Sequence, residues 1–113
     1  MGNPANEIIT IVDRHNRVTG TAPRRLMRQE NLIHRASYIL VFNNSSEIFI
    51  QKRSMSKDIY PGYWDLAAGG VVLANESCLE SAIRELEEEL GISGVPLTYH
   101  FDYFFNDTGN RVW

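Results

Sequence analysis

A single cysteine, Cys78, stands among the 113 residues, so no internal disulfide framework can form and the chain suits a reducing compartment. Long apolar runs are missing too: nothing approaches the roughly 18 consecutive apolar residues that a bilayer-spanning helix needs. The stretch from Met1 to Glu7 holds neither a basic region nor an apolar core, so no signal peptide is expected. Asn6 stands where a myristoylation site would need Ser or Thr. Positive charge is not in excess. Lys and Arg number 11 against 14 Asp and Glu, a net charge of −3, whereas a non-specific nucleic-acid binder carries a basic surplus. Repeats, low-complexity tracts and linkers are lacking as well. The expectation is one small domain over residues 1–113, in the cytoplasm, with no membrane contact and no specific nucleic-acid partner.

What is present is an ordinary globular composition, 43% hydrophobic and 22% charged. Ile8 to Val12 is short and β-branched and ends at Asp13-Arg14-His15-Asn16, which predicts a strand and a turn. Pro23 to Asn31 predicts a short helix with proline near its start. Ala36 to Phe42 and Ile48 to Gln51, separated by Asn43-Asn44-Ser45-Ser46, predict a hairpin. Ser54 to Gly62 is a polar loop. Tyr63 to Leu73 is apolar but broken by Gly69-Gly70, which predicts a bent strand or a closely approached backbone. Leu97 to Phe105 is expected as an aromatic strand, Asn106 to Asn110 as a turn, and Arg111 to Trp113 as the start of another strand. Strands outnumber helices in mixed order, so the fold class is α+β, a helix packed on a sheet.

The clearest helix runs from Ser77 to Leu90. Ser77 and Glu80 fit a capping box, and Gly91 stands where a helix should stop. Leu79, Ala82, Ile83, Leu86 and Leu90 recur at helical spacing and are expected to form its buried stripe. At about 100° per residue, Glu85, Glu88 and Glu89 share an arc about 100° wide, centred about 120° from that stripe. Like charges one turn apart repel by a few tenths of a kcal/mol. A solvated acidic face is the plain reading. A hard divalent cation, which prefers carboxylate oxygens, is the chemical one. Arg84, beside Glu85, offers a fixed fork that can orient a carboxylate.

The segment from Gly70 to Ile92 decides between them. It matches G-x5-E-x7-R-E-U-x-E-E-x-G-U at all nine specified positions, U being aliphatic. At average residue usage such a match in a chain this size has a chance probability of roughly 10⁻⁸ to 10⁻⁷. It resembles the signature of the Nudix (MutT-like) hydrolases. Asn16 to Gly20, Ile33 to Ala36, Gln51 to Ser54 and Lys57 through Pro61-Gly62-Tyr63-Trp64 resemble the branch that holds isopentenyl-diphosphate isomerase and related uncharacterised Nudix hydrolases.

The resemblance implies an α/β/α sandwich around a mixed β-sheet, with the Nudix helix packed on it and further elements beyond Trp113. The chain would then be a partial domain, or one that completes its sheet as a homodimer through an open C-terminal edge. It implies Mg²⁺ or Mn²⁺ bound by Glu85, Glu88 and Glu89, often with the Gly70 carbonyl. Arg84 would orient the cluster, and Glu76 would steady the loop into the helix. The expected reaction is hydrolysis of a diphosphate bond in a small nucleoside-diphosphate-linked or related substrate.

Arg53 and Lys57 are candidates for substrate phosphate, or are solvated loop cations. His34 is a metal-ligand candidate, although a lone histidine is more often structural. Tyr63 and Trp64 are expected in the core more than against a base, and Cys78 is read as packing. The isomerases carry a catalytic Cys and a metal-binding His on either side of the glycine matching Gly70. Here Gly69 and Val71 occupy those places, which argues against isomerisation. A non-catalytic ligand-binding domain is the remaining alternative.

Overall fold

The computed structural model describes residues 4–57 and 59–113; residues 1–3 and Asp58, within the expected 54–62 loop, lie outside them. Strand β1 (Ile8–Val12) pairs antiparallel with β2 (Val18–Pro23), placing Ile9 opposite Ala22. The turn between them is closed by Asp13, whose Oδ1 accepts from the backbone N–H groups of His15 (2.8 Å) and Arg17 (3.0 Å). β2 escapes the sequence reading because Val18 to Thr21 are exposed, leaving an edge strand with no apolar alternation. Helix α1 (Arg24–Glu30) follows, entered through Pro23 and closed by Asn31 in the left-handed region at φ 50°.

At the centre, β3 (Ala36–Ile39) pairs antiparallel with β6 (Ala68–Val71), with Ser37 opposite Gly70. The segment leading into β3 stitches the rest together. His34 bridges antiparallel to Ile11 and parallel to Val112, so the sheet is mixed. A last hairpin, β7 (Phe105–Asp107) and β8 (Asn110–Val112), joins this sheet through Trp113, whose N–H donates to the His34 carbonyl at 2.9 Å. The buried core gathers Ile9, Met27 and Val71, with Ile11, Leu32 and Leu73 packed around it. Helix α2 (Cys78–Leu90) lies across β3 and β6. This is the expected α+β arrangement.

Several elements depart from expectation. The strand from Ala36 ends at Ile39, although the hairpin beyond it forms, with Phe42 bridged to Ile48. Asn43 closes that hairpin by accepting from the N–H groups of Ser45 (2.9 Å) and Glu47 (3.0 Å). The 63–73 segment splits into β5 (Trp64–Asp65), paired with β4 (Gln51–Lys52), and β6. No strand covers 97–104. Tyr99, Phe101 and Tyr103 alternate as a strand would, but no neighbouring strand pairs with that backbone among the described residues, and all three rings are exposed. The expected open edge at Trp113 is also displaced: residues 111–113 already bond to 34–36, and β7 is the outer strand of that hairpin.

The largest correction concerns α2. Leu86 is buried and Ala82 and Leu90 are partly buried, but Leu79 is 58% exposed and Ile83 is 47% exposed, so only part of the predicted apolar stripe is covered. The buried side of the helix is shifted to include fully buried Ser81 and partly buried Glu85 beside Ala82 and Leu86. Small side chains allow a closer approach than a leucine stripe would.

Candidate metal and diphosphate site

That close approach builds the site. Ser81 Oγ lies 3.0 Å from Ser37 Oγ, joining α2 to β3 by a hydrogen bond between two small side chains. On β6, Gly69 has φ +137°, and a Cβ there would overlap the Ser37 carbonyl. Glu85 lies one helical turn beyond Ser81, on the same face. It therefore comes down on Gly70, where an added Cβ would meet Glu85 Oε1 at 2.7 Å.

The helix that carries Glu85 is fixed at both ends as the sequence predicts. Ser77 Oγ accepts from the Glu80 N–H, and the Glu80 carboxylate accepts from the Ser77 N–H, each at 3.0 Å. Gly91 closes the other end at φ 67°, its N–H donating to the Glu87 carbonyl at 2.9 Å. Arg84 is the hub between them. It donates to both Glu76 oxygens (2.7 and 3.0 Å), to Glu85 Oε1 (2.9 Å) and to Glu88 Oε2 (3.2 Å). Glu76 in turn accepts from the Leu73 N–H at 3.0 Å, tying the loop between β6 and α2.

The two carboxyl groups beside Arg84 are pushed in opposite directions. The hydrogen bond from Arg84 is the main cause that holds Glu76 below its ordinary value. Glu85 is raised, first by burial and further by the like charges of Glu89 and Glu88, against the pull of Arg84. Only 14% of the Glu85 side chain is exposed. A largely buried carboxylate whose charge is penalised in this way, pressed on a glycine backbone, suits an additional cation.

A cavity of about 270 Å³ opens against this corner. Gly70, Glu85 and Glu89 line it, and Glu89 accepts from the Gln51 side chain at 3.0 Å. Glu88 is turned to the outer side, with Glu87 and Ile83. Among the described residues no three His, Cys, Asp or Glu side chains converge closely enough to enclose a metal. Two carboxylates beside an open cavity nevertheless fit a hard ion, since Mg²⁺ keeps several positions for water and substrate oxygens. Gly70, Glu85 and Glu89 are thus brought together, while Arg84 and Glu88 stand behind them.

Arg53 and Lys57 line the same cavity. Arg53 is held in place, Nε donating to the Ile59 carbonyl and an Nη to Asp65 Oδ2, both at 3.0 Å. Tyr63 (63% exposed) and Trp64 (67% exposed) also line it and are not in the core, contrary to expectation. Their neighbour Gly62, at φ 76°, turns the chain just before them, and both rings line the cavity, Trp64 from β5 and Tyr63 from the residue ahead of it. Cys78 is likewise exposed and packs in no core, and its neighbours Leu79 and Glu80 in the first turn of α2 are exposed with it. His34 is buried, with Nδ1 3.1 Å from the Leu32 carbonyl and its backbone joining β1 to β8. Asp65 and the α1 arginines Arg24 and Arg28 are not among the site candidates that the sequence offers, yet all three line the cavity. The four-residue spacing of the arginines on a helix was the available signal.

Comparisons with known proteins agree with this geometry. The NUDIX domain profile matches residues 32–112. An uncharacterized Nudix hydrolase of Pseudomonas aeruginosa is 50% identical over 107 residues, covering 95% of this chain and 63% of the relative. The uncharacterized Nudix hydrolase YfcD of Escherichia coli K12 is 48% identical over 109 residues, covering 96% of this chain and 61% of the relative. The chain thus spans about three-fifths of the length of these curated relatives. Among solved structures, a MutT protein from Methanosarcina mazei superposes with TM-score 0.63 at 34% identity, over 71% of this chain and 57% of that one. DR0079 from Deinococcus radiodurans gives TM-score 0.67 at 29% identity, over 77% and 54%. With the Gly70–Ile92 signature folded around Glu85 and the domain profile spanning most of the sequence, the chain belongs to the Nudix family.

Proposed function

We propose that this chain forms the metal-binding part of a Nudix domain that hydrolyses a diphosphate bond in a small nucleoside-diphosphate-linked or related substrate, with Mg²⁺ or Mn²⁺. The observation that carries the proposal is Glu85 pressed against Gly70 at the corner of the cavity. Glu85 and Glu89 would hold the metal from the cavity side, with the Gly70 carbonyl beside them. Glu88 would join after leaving Arg84, with which it now pairs at 3.2 Å. A metal bound there supplies charge neutralisation for the diphosphate and an activated water. Arg84 and Glu76 orient the carboxylates, Gly91 ends the helix that carries them, and Arg53 with Lys57 take substrate phosphate oxygens. No described helix is long and apolar enough to cross a membrane, and Cys78 is a free thiol, which supports a reducing compartment such as the cytoplasm. The exposed outer strand β7 supports pairing with a second copy there.

The isomerase alternative is disfavoured by the backbone. Gly69 has no room for a thiol side chain, and Val71, 7% exposed, belongs to the core cluster with Ile9 and Met27. Phosphate release from a panel of diphosphates with Mg²⁺ tests the proposal, on this chain and on a version extended to the length of its relatives. Turnover that disappears in Glu85→Gln supports it; a panel with no turnover by either chain sinks it. Light scattering checks the pairing.

A further inference from the structure

Four aromatic rings line the cavity that holds Glu85 and Glu89: Tyr38 from β3, Trp64 from β5, and Tyr60 and Tyr63 from the chain just before β5. All four are exposed, which leaves apolar faces in water without the burial that normally stabilises them. Tyr99, Phe101 and Tyr103 are exposed as well, but they are not in the cavity lining. The cavity rings differ from them in being anchored. Arg53 staples the segment that carries three of them: its backbone N–H donates to the Tyr63 carbonyl at 2.7 Å, its Nε to the Ile59 carbonyl and an Nη to Asp65 Oδ2, both at 3.0 Å. The Tyr63 N–H closes the turn on the Tyr60 carbonyl at 3.2 Å.

Within that turn Tyr60 takes φ 48°, a left-handed conformation that a bulky residue holds only where its surroundings fix it. Its ring meets that of Tyr63 with centroids 5.4 Å apart and planes tilted by 42°. The pair is thus set before a ligand arrives, which lowers the ordering cost of binding. One short hairpin joins these rings to the carboxylates. Trp64 stands opposite Lys52 and Asp65 opposite Gln51, and the Gln51 side chain donates to Glu89 at 3.0 Å. Tyr38 stands opposite Gly69, next to Gly70. A ligand whose diphosphate lies at Glu85 and Glu89 therefore extends onto the rings. A flexible apolar chain needs an enclosed apolar pocket, whereas here the rings are open and Arg53, Lys57 and Asp65 are interleaved with them. A flat heteroaromatic ring gains from stacking on open faces and brings polar edges that suit such neighbours.

We infer that Tyr63 and Trp64, with Tyr60 and Tyr38 beside them, form a stacking platform for a nucleobase of the substrate. This rests on the diphosphate reading above. It narrows the substrate from any diphosphate to one joined to a planar base, and sets aside diphosphates of apolar chains. Arg53 then serves both parts of the ligand, reaching phosphate from the same side chain that holds the platform in place.

A series of ligands that share a diphosphate tests it. ADP, GDP, CDP and UDP are compared with inorganic diphosphate, which has no base, and with geranyl diphosphate, which has an apolar chain in its place. Affinities are read by calorimetry with Ca²⁺ present. At least one nucleoside diphosphate should bind about tenfold or more tightly than both of the others. That ratio should fall towards unity in Tyr63→Ala and Trp64→Ala, and persist in Trp64→Phe, which keeps a ring. Trp113→Phe leaves Trp64 as the sole tryptophan, and a stacked base should quench its emission. Circular dichroism confirms that the variants are folded, and the quenching decides where an alanine variant is not. Equal affinities across the series, tightest binding of geranyl diphosphate, a ratio unmoved by both Ala variants, or emission of Trp64 unchanged by a bound nucleoside diphosphate overturns the platform while leaving the diphosphate reading standing. Binding of no diphosphate at all overturns both.

Discussion

Glu85 and Gly70 are matched in shape: the carboxylate occupies the space that a side chain at 70 would need. A Cβ added to Gly70 would come within 2.7 Å of Glu85 Oε1 and 3.0 Å of its carboxyl carbon. The neighbour that must yield is the end of a flexible side chain, not backbone, and Gly70 has no left-handed φ. Gly70→Ala should therefore fold with little loss of stability while displacing the carboxylate proposed to bind metal. Mg²⁺-dependent phosphate release is expected to drop about tenfold or more, since misplacement by an ångström costs that much. A normal rate in Gly70→Ala would remove Glu85 from the chemistry.

How much of this was readable in advance depends on which atoms decide it. The caps of α2 were legible, because Ser77, Glu80 and Gly91 act within a few residues of one another. The carboxylate arc was legible from helical periodicity alone. The face of α2 that meets the sheet was not. Leu79 and Ile83 look like a core stripe, but the contact is set by Ser37, Gly69 and Gly70 on other strands, which let Ser81 and Glu85 approach. Periodicity reports where apolar residues lie, not which surface is small enough to receive a helix. The aromatic alternation over 97–103 misled for a related reason, since a strand also needs a partner. Residue type alone places Tyr63 and Trp64 in the core, whereas the chain after the turn at Gly62 brings them to the cavity.

Arg84 joins three carboxylates, so its loss should be felt in stability as well as rate. Its two bonds to Glu76 are partly buried, each side chain being no more than 25% exposed. Glu76→Gln leaves Arg84 with a weaker partner and releases the loop at Leu73. A loss of about 1–2 kcal/mol is expected by urea denaturation, discounted from the buried-pair range for partial exposure. The effect has a pH signature. Glu76 is held below its ordinary value of 4.5 by Arg84, so its stabilisation is complete above that value and fades as pH falls through the lower folded value. The difference between wild type and Glu76→Gln should shrink below about pH 4.

Glu85 carries the opposite sign. Burial raises it above 4.5, so without metal the folded chain holds this proton longer than the unfolded chain does. Its contribution is then fully present below the unfolded value and is lost as pH rises through the folded one. Glu85→Gln removes that loss. In the presence of a chelator, thermal melts should show the variant gaining on wild type as pH rises from about 4.5 towards neutrality. Mg²⁺ should reverse the order, raising the wild-type melting temperature and leaving the variant unmoved. Equal Mg²⁺ shifts in both proteins would place the metal elsewhere.

Gly69 provides a test of the proposal that this chain hydrolyses a diphosphate and does not isomerise one. Installing the thiol by Gly69→Cys asks a residue with a Cβ to adopt φ +137° and to overlap the Ser37 carbonyl. The obstruction is backbone on a paired strand, so relief requires β3 and β6 to separate at the Tyr38–Gly69 register. That same pair supports Ser81 and hence Glu85. The variant should lose about 2 kcal/mol or more by chemical denaturation and lose diphosphate hydrolysis with it, without gaining allylic isomerisation. Adding Val71→His, which puts a polar ring among Ile9 and Met27, should deepen the loss. A folded double variant that isomerises an allylic diphosphate would show that two side chains, not the backbone around Gly69, separate the two activities.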